Sequence, residues 1–502
     1  MNTPREDTLT APERAAAGTN VRTLQNFTGG KWTDSDSKEF GDVRNPVNDE
    51  LLARVPLGAA SDVDRAVQAA QKAYITWRRT PPVNRVRPLF ALKALMEKRF
   101  DDIAATITRE HGKTLEESQS SVRRAIDNVD LAIGTPDRMM GTSLEDIATG
   151  IDCHTVRQPL GVFAAITPFN FPAMVPFWFL PHAIACGNTF IVKPSERVPL
   201  SQMILFELLH EAGFPDGVVN LVHGGKPAVD AILDHPGIAG VSFVGSTPIA
   251  HYIYKRSAEN GKRVQALGGA KNFVVVMPDA EMDRTAQVST ESCFGCAGER
   301  CLANSVVLAV GDAYDQIKDR LVSEAKKIVV GDGLQPGVTM GPVITKQHRD
   351  KVLGYIEKGI AEGATLALDG RSYKDPKHPN GYFLGPTIFT EVTPEMTIGK
   401  EEIFGPVLCV MRAKDFDEAV AIVRKHELGN ATSIFTTSGK WAREYRYRVE
   451  PAMLGVNIGV AAPMAFFPFG GSKQSFFGDL KAHGRDAIEF YTDKKVTIQR
   501  WF

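Results

Sequence analysis

The chain has 502 residues, 43% of them hydrophobic, so it is long enough for about three domains with sizeable buried cores. Its 58 Lys and Arg residues nearly balance its 59 Asp and Glu residues and leave a net charge of -1. This balance excludes an overall electrostatic attraction to nucleic acid or to an anionic membrane, and any charged ligand must be bound locally.

The cysteine content and the first residues predict a cytoplasmic protein. Six cysteines are too few for a disulfide framework in a chain of this length, which favours a reducing compartment. Residues 1–20 are polar and mix both charges, so they lack the apolar core of a secretion signal and are expected to form a loose tail. The longest apolar run, Phe169 to Ile184, contains three prolines and is not a membrane span.

Short strands and then helices are predicted for the first 132 residues. Phe27–Trp32 and Glu50–Val55 have strand patterns next to Gly and Asn-Pro turns. The apolar spacing that follows predicts helices from Ser61, from Leu89 to Arg99, from Ile103 to a stop at Gly112, and from Glu116 to Ala132. The residues alone favour Arg123 and Arg124 in the last helix as a solvated face paired with Asp127.

From Leu160 onward the chain alternates between strands and helices. Strands are predicted at Val162–Ile166, Thr189–Val192, Val218–Val222 and Val241–Val244. This order is typical of a parallel sheet that binds ligands, often nucleotides, at the carboxyl ends of its strands. No Gly-x-Gly-x-x-Gly motif is present. Instead, Ser246, Thr247 as a helix cap and Pro248 predict either an anion site for a pyrophosphate or a simple helix start.

A second α/β unit is predicted from Asn272 to about Ala452. Its strands are expected at Phe273–Met277, Ser305–Ala309, Val407–Met411 and Ser433–Thr436, and its helices at 313–328, 350–362 and 417–426. Two extended stretches, Ser143–Gln158 and Phe490–Phe502, have no helix partner. Exposed edges of this kind require a pairing partner, and subunit association is the simplest one that they predict.

Cys301 is the candidate nucleophile of the sequence. It directly follows Arg300, and a neighbouring guanidinium favours the reactive thiolate. Gly295 and Gly298 predict a loop that presents the thiol, although an inert core cysteine beside the apolar run that follows fits these residues as well. Neighbouring cysteines have no second pair at ligand spacing, so no metal site is predicted.

Several motifs in register extend over nearly the whole chain. They are Thr167–Pro172, Lys193–Glu196, Phe243–Thr247, Leu267–Gly269, Gly298–Cys301 and Glu402–Pro406. Their order and spacing resemble the aldehyde dehydrogenase superfamily. Within it, Arg157–Val162, Gly269–Asn272 and Ser475–Leu480 resemble the CoA-acylating methylmalonate-semialdehyde dehydrogenase branch.

The resemblance implies an aldehyde dehydrogenase-like α/β fold. A Rossmann-type NAD-binding domain is expected in residues 1–130 and 159–262, and a catalytic α/β domain in residues 263–455. Residues 131–158 and 456–502 are expected to supply a β oligomerisation arm and a C-terminal segment, in a homodimer or homotetramer.

The resemblance also assigns the chemistry. Cys301 would attack the aldehyde, the Asn170 amide and the Cys301 N–H would hold the oxyanion, and hydride transfer to NAD would leave a thioester. The expected cofactor-binding residues are Thr167, Phe169, Lys193, Glu196, Arg197, Ser246, Gly268 and Glu402. A carboxylate at position 196 favours NAD over NADP, although without the resemblance Lys193 and Glu196 are better interpreted as a surface turn pair.

Substrate and acyl acceptor are implied in the same way. Arginines that match Arg124 and Arg300 hold the far carboxylate of a semialdehyde in this branch. Hydrolytic relatives have a glutamate base directly before Leu-Gly-Gly, where this chain has Ala266, so CoA is the expected acceptor. Three alternatives stay open: Glu299 or Glu402 replaces the missing base, the protein is a hydrolytic aldehyde dehydrogenase, or it is a catalytically silent structural or nucleotide-binding protein.

Overall fold

The computed structural model describes residues 21–502, so the predicted loose tail lies outside the described residues. A run of helices occupies residues 60–138. Gly112 ends one of them in the left-handed conformation, with φ 94°, as its position predicts. The helices are Ala60–Trp77, Pro82–Arg85, Arg87–Lys98, Phe100–His111, Leu115–Ile133 and Thr135–Arg138.

The first sheet has eight strands. In sheet order they are Lys31–Thr33, Asn26–Thr28, Val219–Leu221, Thr189–Lys193, Val162–Ile166, Ile238–Val244, Arg263–Leu267 and Phe476–Phe477. The five central strands are parallel, and nearly all of their residues are buried, because helices cover both faces. Four of them were predicted, and Arg263–Leu267 was missed. Those helices include Met174–Ala185, Leu200–Glu211, Lys226–Asp234 and Thr247–Glu259.

The second sheet has seven strands. In sheet order they are Thr365–Leu368, Thr387–Thr390, Val407–Ala413, Asn304–Val310, Asn272–Val276, Ala431–Phe435 and Met453–Val456. Its helices are Met282–Phe294, Ala313–Ala325, Lys346–Ala361, Thr397–Lys400, Phe416–Lys425 and Gly439–Arg448. The four predicted strands form its centre, and the sequence missed the two strands at one edge and the last strand at the other.

A separate three-stranded antiparallel sheet joins the two extended stretches. Its strands are Ser143–Ala148, Ile151–Pro159 and Thr492–Arg500. The prediction that the C-terminal stretch is extended from Phe490 is wrong at its start, because the helix Gly484–Tyr491 packs Phe490 and Tyr491 into the core and leads directly into the last strand. Short pairs complete the fold: Phe40–Arg44 with Leu51–Pro56, and Leu428–Gly429 with Ser472–Lys473.

The two large sheets draw on different parts of the chain. The first takes strands from residues 26–33, 162–267 and 476–477, and the second from residues 272–456. The predicted domain boundary at residues 262 and 263 stays a prediction. In the described part of the chain, no helix is both long and apolar enough to cross a membrane.

Candidate active site

Two cavities meet at Cys301. One has a volume of about 800 Å³ and is lined by Arg124, Arg300, Glu117 and Cys301; we call it the arginine cavity. The other has a volume of about 700 Å³, lies at the carboxyl ends of the first sheet's strands, and is called the strand-end cleft. The predicted site residues that line the cleft are Thr167, Phe169, Asn170, Glu196, Arg197, Ser246, Gly268, Cys301 and Glu402.

A strained turn presents Cys301 between these cavities. After the helix Met282–Phe294, Cys296, Ala297 and Gly298 have φ values of 50°, 51° and 76°. A Cβ atom on Gly298 would lie 2.1 Å from the Gly405 carbonyl oxygen, so this position requires glycine. The turn therefore packs directly against the Glu402–Pro406 segment, and the predicted presenting loop is present.

Two asparagines fix the main chain of Cys301. Its carbonyl oxygen accepts hydrogen bonds from Asn272 Nδ2 at 2.9 Å and from Asn430 Nδ2 at 2.8 Å. Both donors lie at the start of central strands of the second sheet, or directly before one. The thiol is therefore held at the end of a rigid sheet, while its side chain stays half-buried at the junction of the cavities.

The structure gives the Arg300 guanidinium partners other than the Cys301 thiol. Its Nε lies 3.4 Å from Cys296 Sγ and its Nη2 lies 2.7 Å from Glu117 Oε1. Burial and the nearby Glu402 carboxylate raise the pKa of the Cys301 thiol to about 12. Sequence adjacency failed as a guide because Glu117, from a distant helix, provides a stronger partner.

The other cysteines have no sign of a metal or catalytic function. Burial raises the pKa of Cys293 and of Cys296, and both thiols are enclosed. Among residues 21–502, no group of three or more His, Cys, Asp or Glu side chains is arranged to hold a metal ion.

Asn170 lies beside the strained turn that presents Cys301, as expected. Its Nδ2 donates to the Glu299 carbonyl at 3.0 Å, and its own carbonyl accepts from Lys113 Nζ. Sequence reasoning missed Lys113. A lysine between a helix-ending glycine and the cap of the next helix is usually solvent-exposed, so no sequence signal marks it as buried.

The adjacent arginines of the helix Leu115–Ile133 separate as the resemblance implied. Arg124 lines the arginine cavity, where its Nη1 lies 3.5 Å from the Pro463 carbonyl. Arg123 is exposed and pairs with Glu97, at 2.9 Å for Nη2, rather than with Asp127.

Glu117 is a cavity residue that the sequence analysis did not identify. Its carboxylate accepts from the Cys296 and Thr114 amides and from Arg300. Although burial opposes ionisation, the charge of Arg300 keeps the pKa of Glu117 below its usual range. The pattern Thr-x-x-Glu at residues 114–117 is a capping box. That signal could have located the start of the helix, but it could not have shown that Glu117 contacts the turn before Cys301.

The start of the helix Thr247–Glu259 differs by one residue from the prediction. Ser246, not Thr247, occupies the cap position, and Pro248 lies in the first turn as expected. The Thr247 hydroxyl instead accepts from the Gly269 amide at 2.9 Å. Ser246 and Ile249 line the cleft, so the start of this helix adjoins it, which suits an anionic group.

Lys193 and Glu196 lie at the other end of the cleft. Lys193 is buried, donates to the Gly224 carbonyl at 2.8 Å and lies 3.7 Å from Glu196 Oε2. Lys193 does not contribute to the lining of the cleft, whereas Glu196 is half-exposed and does. The surface-pair interpretation therefore fits Glu196 in part but not Lys193.

Three positions bear on whether the protein has a general base for hydrolysis of a thioester. Ala266 is buried in its strand and carries no ionisable group. Glu402 lines the cleft, accepts from the Ala270 amide at 2.9 Å, and has its pKa raised by burial to about 7. Glu299 is also buried, with its pKa raised to about 8, but it lines neither cavity.

Comparison with known proteins identifies the class to which this fold and site belong. Residues 32–497 match the model of the aldehyde dehydrogenase family, so the chain belongs to this family. The predicted resemblance and the predicted aldehyde dehydrogenase-like fold are thereby confirmed.

The most similar relatives include semialdehyde dehydrogenases. Malonate-semialdehyde dehydrogenase 2 of Bacillus mycoides is 50% identical over 482 residues, covering 96% of this chain and 100% of the relative. Malonate-semialdehyde dehydrogenase of Halalkalibacterium halodurans is 49% identical over 478 residues, covering 95% and 98%. Methylmalonate-semialdehyde dehydrogenase of Oceanimonas doudoroffii has a crystal structure with TM-score 0.94 and 46% identity, covering 96% and 99%.

A further solved structure contains a cofactor. It is a Sinorhizobium meliloti protein assigned as a methylmalonate-semialdehyde dehydrogenase, in complex with NAD. It matches with TM-score 0.95 and 42% identity, over 96% of this chain and 99% of the other.

Proposed function

We propose that the protein is an NAD-dependent dehydrogenase for malonate or methylmalonate semialdehyde that transfers the acyl group to CoA. The products are NADH, CO₂ and acetyl-CoA or propionyl-CoA. The observation that carries the proposal is the pair Arg124 and Arg300 in a cavity that ends at Cys301. Relatives of nearly the same length that are about 50% identical and named for such substrates support it.

The strand-end cleft fits NAD. Ser246 would hold the pyrophosphate. Glu196 would hold the adenosine ribose, with the buried Lys193 behind the lining and 3.7 Å from its carboxylate. Thr167, Phe169, Arg197 and Gly268 would form its walls, and Glu402 would accept from the nicotinamide ribose. Bound there, NAD supplies the hydride acceptor.

Cys301 and Asn170 carry out the first half of the reaction. The Cys301 thiolate adds to the aldehyde carbon, and the new oxyanion is held by the Cys301 N–H and by Asn170 Nδ2. Each preorganised donor of this kind contributes about 3 kcal/mol to the transition state. Loss of hydride from that carbon leaves a thioester on Sγ. The carboxylate of this acyl group leaves as CO₂ and a proton takes its place on the carbon, which gives the acetyl or propionyl group that CoA accepts.

Arg124 and Arg300 select the substrate. A carboxylate on the far side of the aldehyde would accept from both guanidiniums in the arginine cavity. Since Glu117 already accepts from one Arg300 nitrogen, Arg124 supplies the charge that is not paired with a carboxylate in the described structure. Neutral aldehydes of equal size gain none of these contacts.

The thioester is expected to wait for CoA. Ala266 cannot accept a proton, so water attack is slower by about 10² to 10⁴-fold than with a positioned base. The CoA thiolate needs no such base once its own proton is lost. A homodimer or homotetramer and a cytoplasmic location complete the proposal, and both remain predictions.

The experiment that tests this function follows NADH after rapid mixing. With malonate semialdehyde and NAD, we expect a burst of NADH and then a slow steady state that CoA accelerates, with acyl-CoA as product. Ala266→Glu should raise the CoA-independent rate, and Cys301→Ala should abolish the burst without loss of NAD binding. Equal steady-state rates with and without CoA, with free acid as product, would instead support the hydrolytic alternative, in which Glu402 is the candidate base.

A further inference from the structure

A buried ammonium group lies next to the oxyanion donor. Lys113 is 1% exposed, and its Nζ donates to the main-chain carbonyl of Asn170. The same Nζ lies 3.9 Å from the centre of the Phe171 ring. Among the described residues, it forms no ion pair with a carboxylate.

Burying the Lys113 ammonium costs free energy that a side chain needed only for packing would not require. Removing an ammonium from water costs several kcal/mol, and a carbonyl and an aromatic face return only part of that. A methionine of similar shape would fill the same space without the cost. The charge therefore has an electrostatic effect on its surroundings that packing alone does not require, and low screening in the interior strengthens that effect.

The position of Lys113 is fixed by both halves of the molecule. It follows the helix end at Gly112, and the Leu115 amide donates to the Gly333 carbonyl at 2.9 Å. A Cβ atom on Gly333 would lie 2.4 Å from the Lys113 carbonyl oxygen, so the loop after the second sheet's helix packs directly on the lysine main chain. Lys113 thus has little freedom to move away from Asn170.

The groups around Lys113 and Cys301 have opposing effects on the pKa of the Cys301 thiol. Those that face Lys113 or Cys301 are His111, Glu117, Cys296, Glu299, Arg300 and Glu402. Burial and Glu402 raise the pKa of Cys301, whereas the main-chain N–H groups of Cys301 and Leu302 and, after them, the charge of Lys113 lower that pKa. Arg300, which the sequence suggested for this task, is engaged by Glu117.

We propose that Lys113 is a positioning residue of the active site: its ammonium holds Asn170 in place and supplies the positive charge that favours the thiolate and the oxyanion at Cys301. The inference rests on the proposed function in taking Cys301 and Asn170 as the reacting pair. It assigns to Lys113 the electrostatic task that sequence adjacency assigned to Arg300.

The test measures the rate of Cys301 alkylation by iodoacetamide in the absence of substrate, at pH 7 to 9. Below the thiol's pKa, each unit of upward pKa shift lowers the thiolate fraction tenfold, and the alkylation rate by less, because the more basic thiolate is the better nucleophile. Lys113→Gln keeps a donor for the Asn170 carbonyl but loses the charge, and should react about threefold more slowly than wild type. Lys113→Met should react at least as slowly, while Lys113→Arg should stay within about 1.5-fold of wild type.

Lys262→Met is the matched control. Lys262 is also buried and donates to main-chain carbonyls, at 3.0 Å for Ile238, but it lines neither cavity. Its loss should lower the melting temperature and leave the alkylation rate unchanged. A kcat loss with an unchanged Kd for NAD should accompany the slower alkylation in Lys113→Gln.

A wild-type alkylation rate in Lys113→Gln would overturn the inference. If Lys113→Met does not fold, Lys113→Gln and Lys113→Arg still decide it. The alkylation assay contains no substrate, so the two proposals can fail separately. If the Lys113 variants react more slowly but the wild-type protein does not oxidise semialdehyde, only the proposed function is refuted. If the wild-type protein turns over normally but the variants react at the wild-type rate, only this inference is refuted.

Discussion

At the scale of single residues, the adjacent Arg123 and Arg124 allow a direct comparison of an exposed arginine with one that lines a cavity. They are neighbours on one helix, yet Arg123 pairs with Glu97 at the surface and Arg124 lines the arginine cavity. Arg124→Met should lower kcat/KM for malonate semialdehyde by about 10² to 10⁴-fold, because loss of a buried carboxylate–arginine pair costs about 3 to 5 kcal/mol.

The matched variant Arg123→Met removes an exposed ion pair and should change kcat/KM by less than about twofold. Propanal, which has no carboxylate, should be affected little by either change. Equal kcat/KM values of wild type for propanal and malonate semialdehyde would refute the carboxylate site.

Glu402 predicts a pH dependence. Burial raises its pKa to about 7, so this group is protonated at pH 6 and ionised at pH 8. Once ionised, its charge raises the pKa of Cys301 and disfavours the thiolate. Glu402→Gln should therefore speed iodoacetamide alkylation of Cys301 at pH 8 and change it little at pH 6. A ratio of variant to wild-type rates that does not vary with pH would contradict this coupling.

The sequence singled out the proposed nucleophile and oxyanion donor more readily than the side chains around them. Cys301 and Asn170 each lie within a short motif, which can be recognised from neighbouring residues along the chain. The partner of Arg300 is Glu117, a distant residue in sequence, and local context cannot show such a contact. Lys113 was missed for the same reason, since its burial depends on Phe171 and Gly333.

At the scale of elements, the turn before Cys301 depends on Gly298. Gly298→Ala would place a Cβ 2.1 Å from the Gly405 carbonyl oxygen at a φ of 76°. The turn must shift, and a displacement of about 1 Å at a nucleophile costs about 10²-fold in kcat. Gly261→Ala is the control, because Gly261 has a φ of 65° but no atom within 4 Å of the added carbon. Similar kcat values for both variants would show that the turn tolerates a side chain.

A second element depends on Glu110. Its buried carboxyl group accepts from the Leu200 and Ser201 amides, at 2.6 and 3.0 Å, at the start of the helix Leu200–Glu211. Glu110→Ala leaves two buried amides without acceptors and should lower the free energy of unfolding by about 2 to 4 kcal/mol. Glu211→Ala, at the exposed end of the same helix, should change it by less than about 0.5 kcal/mol. Denaturant unfolding of both variants measures the difference.

Central elements were predictable and edge elements were not. The strand Val162–Ile166 and residues 407–411 of the strand Val407–Ala413 are continuous apolar runs, since helices bury both of their faces. The edge strand Thr365–Leu368 alternates between exposed and half-buried residues, so its four residues resemble a loop. Its pairing with Thr387–Thr390 arises only when the folded sheet supplies the partner.

At the scale of the whole molecule, the three-stranded arm leaves apolar side chains in solvent. Leu144, Val496 and Ile498 are 65%, 59% and 66% exposed. The described single chain has nothing to cover them, and such a patch is typical of an association surface. The double variant Val496→Asp and Ile498→Asp should convert a dimer or tetramer into a smaller species by light scattering.

Ile75→Asp serves as the control, because Ile75 is 63% exposed on a helix outside the arm. It should leave the mass unchanged. A wild-type protein that is a monomer at micromolar concentration would contradict the predicted assembly.

The junction of the two cavities at Cys301 constrains the order in which reactants meet. Because NAD and semialdehyde would occupy different cavities, neither has to leave before the other binds. Initial-rate plots for these two reactants should therefore intersect, as in a sequential scheme, and dead-end analogues of one should not compete with the other. The Cys301 thiol thus lies where two separate cavities meet, rather than at the bottom of one shared cavity.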